Sequence, residues 1–207
     1  MRTFFVLISL VCCLGVSAQQ ISLMDSLRDA FTHEPKITGK LDGRISLING
    51  NRVRFQGIKA GLAFGRHVEV GLSYNWLASE TTSPKYADST HFIRFRYVAP
   101  YLQYRYVYKR KWRISIPVQI GIGHSHLVEA PGGRGAEQKD YGLVLLYEPS
   151  MHVDYLFLRY FNVGMGLGYR LMLINNRSIP ARFTAPTLAF HFGVDLGRMW
   201  ADYQRLR

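Results

Sequence analysis

From Gly123 to Glu129 the chain reads GHSHLVE, a combination of residue types that raises the question of catalysis. A serine nucleophile needs a histidine base within hydrogen-bond reach and an acid to orient that base. Ser125, His124, His126 and Glu129 supply all three types. Their spacing argues against a Ser–His pair within the segment. In an extended strand His124 and His126 share the face of Ile122, while Ser125 points the other way. A base would have to come from a neighbouring strand. The His-x-His pair also suits a metal, but two ligands are visible where a structural zinc site takes four. The plain reading is the polar root of a loop. Gly164-x-Gly166-x-Gly168 is an alternation along a strand and not a phosphate loop opening a helix.

A larger set of chemistry-bearing residues falls on one face of the predicted strands: Lys40, Asp42, Arg44, Lys59, Glu69, Arg94, Arg96, Arg105, Arg113, Glu148, His152, Asp154, Arg170, His191 and Asp195. A polar pore or proton path would use such residues. A filled interior would pair them, because neither a carboxylate nor a guanidinium can be left unpaired out of water. A barrel of eight strands is too narrow for an open aqueous channel. The expectation is therefore a structural polar network in which Glu69 and Glu148 are paired. Basic residues outnumber acidic ones in the set, so some must reach water or an anion. No residue is assigned a catalytic, cofactor-binding or metal-binding role, and no cofactor is implied.

The elements that must position these residues have a period of two. In WRISIPVQIGIG, Trp112, Ile114, Ile116, Val118, Ile120 and Ile122 lie on one face, and Arg113, Ser115, Pro117, Gln119, Gly121 and Gly123 on the other. Val68, Val70, Leu72, Tyr74 and Trp76 repeat the pattern, as do Val163, Met165, Leu167 and Tyr169 and then Leu188, Phe190, Phe192 and Val194. Alternation of this kind argues strand over helix. The predicted strands are Ile37 to Ile48, Arg52 to Phe64, His67 to Trp76, Phe92 to Tyr108, Trp112 to Leu127, Tyr141 to Tyr155, Phe161 to Leu173 and Thr184 to Leu196. In the second and fourth the apolar phase slips, near Gly57 and near Pro100, where a bulge is expected. Gly65-Arg66, Lys109-Arg110-Lys111 and Leu158-Arg159-Tyr160 read as tight turns. Leu77 to His91, Val128 to Asp140 and Ile174 to Phe183 read as longer connections, with Asn49 to Asn51 the short exception on that side.

Residues 1–18 read as a secretory signal peptide: Arg2, an apolar stretch from Phe4 to Val16, and Val16-Ser17-Ala18 as a small-residue cleavage site. Both cysteines lie inside it, which leaves neither a disulfide framework nor thiol chemistry in the exported chain. Residues 19–35 form a short segment in which SLMDSLRDAF suits an amphipathic helix, residues 36–197 the barrel, and residues 198–207 a tail. The net charge of +12 would suit nucleic acid, but export argues against that partner. Anionic lipid or lipopolysaccharide is the better match for the excess of Lys and Arg.

The apolar face is expected to meet lipid. A soluble barrel would turn it inward and has no use for glycines on a solvated outer face, whereas a narrow interior does. Aromatics such as Tyr104, Tyr106, Tyr108, Trp112, Tyr155, Phe157 and Tyr160 cluster at strand ends, as they do at the two membrane interfaces. A closed barrel also satisfies every backbone group in lipid. With its signal peptide, eight amphipathic strands, and phrases such as GIKAGLAF, GLSYNWL, APYLQYRYVYKRKW and GMGLGYRLML, the chain resembles the small outer-membrane β-barrels of Gram-negative bacteria, of the OmpA/OmpX architecture. The resemblance implies an all-β, eight-stranded antiparallel up-and-down transmembrane barrel. It implies an outer-membrane location with both termini periplasmic, insertion by the barrel-assembly machinery, and a monomer. Members usually end on an aromatic residue, and here RMWADYQRLR follows Gly197, so that signal falls at Phe190 and Phe192 or the tail is a periplasmic extension. The expected role is non-enzymatic, structural or surface-interacting, with no named ligand. A lipid A-modifying enzyme, an accessory factor for assembly or secretion, and a narrow pore stay open as alternatives.

Overall fold

In the computed structural model the described residues are 31–48, 51–79, 81, 91–129, 138–176 and 183–205. The signal-peptide reading, the SLMDSLRDAF helix and most of each long connection lie outside them. The described residues form eight strands: β1 (Lys36–Ile48), β2 (Asn51–Phe64), β3 (Val68–Leu77), β4 (His91–Lys109), β5 (Trp112–Glu129), β6 (Gln138–Leu156), β7 (Phe161–Ile174) and β8 (Ala185–Val194). Each pairs antiparallel with its sequence neighbours, and β1 closes on β8. Every expected strand is present to within a few residues.

Three short connections, β2–β3, β4–β5 and β6–β7, gather at one end, and the link between Ile48 and Asn51 is the short exception at the other. Gly65 and Arg110 hold the first two of the three with positive φ, 56° and 53°. Glycine adopts that geometry without strain, and Arg110 is the uncommon non-glycine case. The ladder carries three irregularities: around Tyr106 on β4, opposite His126 where β6 inserts an extra residue, and between Leu145 and Leu146 opposite β7. The second has Asp140 in the left-handed region at φ 57°.

No bulge occurs at Gly57 or Pro100, which corrects the sequence expectation. The inward–outward alternation runs unbroken through both. What changes there is the chemistry of each face. On β2, Ile58 and Leu62 point outward near the short-turn end, with Lys59 inward. Toward the other end, Arg52, Arg54 and Gln56 point outward while Val53 and Phe55 are buried. On β4, Leu102 and Val98 face out beside buried Gln103 and Arg105, but farther along Arg94 and Arg96 face out beside buried Ile93 and Phe95. A tilted strand crosses a bilayer in about 9–11 residues, and β4, β5 and β6 span 19, 18 and 19. Their far ends therefore project past the apolar belt, where water outside and a dry core inside restore the polarity of a soluble protein.

After β8 the chain enters helix α1 (Leu196–Arg205). Asp195 stands immediately before it, a favoured capping type, and the Met199 N–H donates to the Asp195 carbonyl at 3.2 Å. Leu196, Met199, Trp200 and Tyr203 recur at helical spacing and are all exposed. Asp202 accepts from Arg159 Nη2 (3.0 Å) and from the Tyr160 hydroxyl (2.7 Å), tying the helix to the β6–β7 turn. That hydrogen bond raises the Tyr160 pKa.

Candidate functional site

The barrel interior at belt level is filled by ion pairs. Arg44 sits between Asp42 (2.5 Å) and Glu148 (2.7 Å), and its Nη1 also donates to the Tyr97 hydroxyl (3.1 Å). The second oxygen of Glu148 accepts from Arg170 Nε at 3.0 Å. Arg170 is fully buried, its guanidinium 4.0 Å from the Phe55 ring centroid. Lys59 meets Asp42 at 3.0 Å. Nearer the short turns, Glu69 receives Lys40 at 2.8 Å, the Tyr101 hydroxyl at 2.9 Å, and Arg105. Beside this group His191 Nε2 pairs with Asp154, and its ring stacks on His152 with centroids 4.9 Å apart.

Most of the predicted interior set is thus brought together. Lys40, Asp42, Arg44, Lys59, Glu69, Arg105, Glu148, His152, Asp154, Arg170 and His191 form these three neighbouring groups, and Arg113 lies buried beside the Tyr108 ring (5.0 Å) at the short-turn mouth. Three residues depart from the expectation. Arg94 and Arg96 point outward. The period-two reading inverted polarity at Pro100 and so assigned their face wrongly. Asp195 falls past the end of β8 and lines the mouth with Lys36, Arg66 and Glu34, around a cavity of about 760 Å³. Sequence reasoning missed Tyr97, Tyr101 and Gln103 as interior partners, while Gln119, placed on the polar face of its strand, accepts from Arg44 Nη2. The inward parity of the missed three on β4 was the available signal.

Glycines on β7 make room for this chemistry. A Cβ on Gly166 would strike the His152 ring, and one on Gly164 would strike His191 and Asp154. Above the ionic layers the interior turns apolar. Phe95 stacks on Phe183 at 5.0 Å and meets Phe55 edge-on at 5.6 Å, within a cluster that includes Ile48, Val53, Leu77, Ile93, Leu127, Val144 and Leu146. Ions and aromatics together close the lumen at this depth. Ser150 Oγ lies 3.2 Å from His152 Nε2, the right atoms for nucleophile activation, but the pair sits inside the wall with the Pro117 carbonyl also in reach of the hydroxyl. In the GHSHLVE segment the predicted parity holds. Ser125 is buried inward against Asn176 (3.2 Å), while His124 and His126 face out.

The outward side chains just beyond the belt form a second cluster. In the β4–β5 ladder Arg94 stands opposite His126 and Arg96 opposite His124. Tyr141 of β6 stacks on His124 at 4.9 Å and on His126 at 5.7 Å.

The fold matches solved structures of outer-membrane barrels. Neisserial surface protein A is similar with a TM-score of 0.57 and 10% identity, over 78% of this chain and 96% of that one. The N-terminal β-barrel domain of Pseudomonas aeruginosa OprF gives 0.52 and 10%, over 78% and 98%. Pseudomonas aeruginosa OprG gives 0.51 and 9%, over 78% and 96%. No family model and no curated protein matches the sequence. At these identities the likeness concerns the fold, that of an eight-stranded transmembrane barrel of the outer-membrane type.

Proposed function

We propose that this chain is a sealed, non-enzymatic outer-membrane barrel that acts through its outer surface rather than by conduction or catalysis. The observation that carries the reading is the continuous closure of the lumen: the Asp42–Arg44–Glu148–Arg170 chain at belt level, capped by Phe55, Phe95 and Phe183. A pore needs a wet path, and a lipid-modifying enzyme needs its nucleophile open to the leaflet. The Ser150–His152 pair has neither.

Three short turns, the start of β1 at Lys36 and the end of β8 at Val194 share one side, which suits a periplasmic placement of that side. The exposed face of α1 fits the same placement. Leu196 packs against outward-facing Gly39 at the foot of the belt, and Trp200 and Tyr203 are residue types that favour a membrane interface. The opposite end, with β4–β6 rising past the belt, would stand in the outer leaflet and outside it.

The test is single-channel recording on the purified protein in planar bilayers, alongside lipid A mass spectra of cells with and without the gene. The expected results are a flat current and identical spectra. Reproducible conductance steps would overturn the sealed-lumen reading, and a changed acylation or phosphate pattern would overturn the non-enzymatic one.

A further inference from the structure

We propose that Arg94, Arg96, His124, His126 and Tyr141 form a binding site for the phosphate of a membrane lipid, on the outer wall of β4–β6 directly above the apolar belt. The proposal rests on the orientation argued above.

The first support is the arrangement of charge. Two arginines stand directly across the ladder from two histidines, and facing side chains in such pairs lie within about 4.5–5.5 Å at Cβ. The two guanidiniums on one face of β4 repel each other, and an anion between them relieves that repulsion, while the facing imidazoles can add N–H donors. Among the described residues no carboxylate pairs with Arg94 or Arg96, although the interior arginines Arg44, Arg105 and Arg170 all have one.

A second, independent support is His126. It is only 6% exposed, yet its Nδ1 has no hydrogen-bond partner. A buried polar atom without a partner is costly and calls for one. His126 is held in place by Tyr141, and Tyr141 is itself aimed by the bulge at Asp140, where β6 places an extra residue opposite His126. Bulges commonly re-aim a side chain beside a functional site.

The third support is depth. Along β5 the outward residues before the pair include the exposed Ile116, Ile120 and Ile122, and along β4 they include Leu102 and Val98. A lipid whose chains lie against those residues would carry its headgroup phosphate to the arginine–histidine block. Arginine binds phosphate in bidentate fashion. The ligand class is therefore a phosphorylated lipid of the leaflet, and the adjoining belt favours it over free phosphate in solution.

The test uses the purified protein in a maltoside detergent, titrated with fluorescent bisphosphorylated lipid A. The double variant Arg94→Gln/Arg96→Gln should weaken binding by about tenfold or more, and His126→Phe, which keeps the ring, should weaken it by a smaller factor. Lys109→Gln/Lys111→Gln, the same charge loss at the opposite rim, should leave binding unchanged. Lipid A stripped of its phosphates should bind the unaltered protein as weakly as the double variant binds the intact lipid. Retained cold-SDS mobility establishes that each variant is folded. Unchanged affinity in both site variants overturns the proposal. Competition by inorganic phosphate in millimolar excess, to the same extent as by lipid A, overturns the assignment to a lipid. Maleimide labelling of Arg94→Cys in intact cells separates the two readings. Labelling without an affinity change in the variants defeats the site alone, and an affinity change without labelling defeats the orientation alone.

Discussion

Glu148 is the residue whose loss the interior should feel most. It is 3% exposed and serves two guanidiniums, Arg44 at 2.7 Å through one oxygen and Arg170 at 3.0 Å through the other. In Glu148→Gln the shape is kept and the charge is lost. Arg44 retains Asp42 at 2.5 Å, but Arg170 loses its counter-charge and keeps only a neutral amide acceptor and the Phe55 and Tyr97 rings, at 4.0 and 5.8 Å, with Nη1 and Nη2 already lacking hydrogen-bond partners. Removing one member of a buried pair costs about 3–5 kcal/mol, because the survivor is an uncompensated charge. A desolvated cation–π contact contributes about 2 kcal/mol or more, but the contacts to Phe55 and Tyr97 are present already in the parent and offset little of the loss. The expected loss is therefore about 3 kcal/mol, read as a lower denaturant midpoint for unfolding from lipid vesicles. The double variant Glu148→Gln/Arg170→Met removes the stranded charge and should recover most of that loss. Two results would refute the reasoning: a single variant within about 0.5 kcal/mol of the parent, the range of an ordinary surface change, or a double variant weaker than the single. Either would mean that water reaches Arg170 and that the lumen is not dry at that depth.

Two other perturbations probe the wall and the rim. Gly166→Ala drives a Cβ into the His152 ring and should destabilise the barrel by about 1–3 kcal/mol. Gly43→Ala, whose Cβ meets nothing nearer than the Phe190 carbonyl at 3.8 Å, should be close to neutral in the same unfolding assay, and equal losses would show that backbone freedom rather than space sets the cost. The Tyr160–Asp202 hydrogen bond raises the Tyr160 pKa, so its contribution is fully present below the ordinary tyrosine value and is lost as pH rises through the raised one. Amide exchange of α1 should therefore quicken at strongly alkaline pH in the parent, and Tyr160→Phe should exchange faster already at neutral pH and show no such transition.

The strands, their order and the closure were legible in the sequence, because a wall with lipid on one side and a narrow polar lumen on the other imprints a period of two on every segment. The same rule explains where the reading failed. It took outward to mean apolar along the whole of each strand, which holds only while lipid is outside. From Ile58 to Gln56 on β2, and from Val98 to Arg96 on β4, the outward residue changes from aliphatic to polar or cationic, and on the inner side Lys59 gives way to Phe55 and Gln103 to Phe95. A reader holding polarity fixed must infer a bulge, whereas a reader holding strand parity fixed infers that the membrane has ended. Parity is the stronger constraint, since a slip of one residue would turn every side chain of the strand to the wrong face, while a change of surroundings needs no change in backbone. The misassignment of Arg94 and Arg96 to the interior follows from that choice, and so does their interest once corrected. Placed inside, they would have been two more cations for Glu148 and Glu69 to neutralise; placed outside, opposite His124 and His126 and with no carboxylate pairing either arginine among the described residues, they mark the level at which the outward face of the wall passes from aliphatic to cationic.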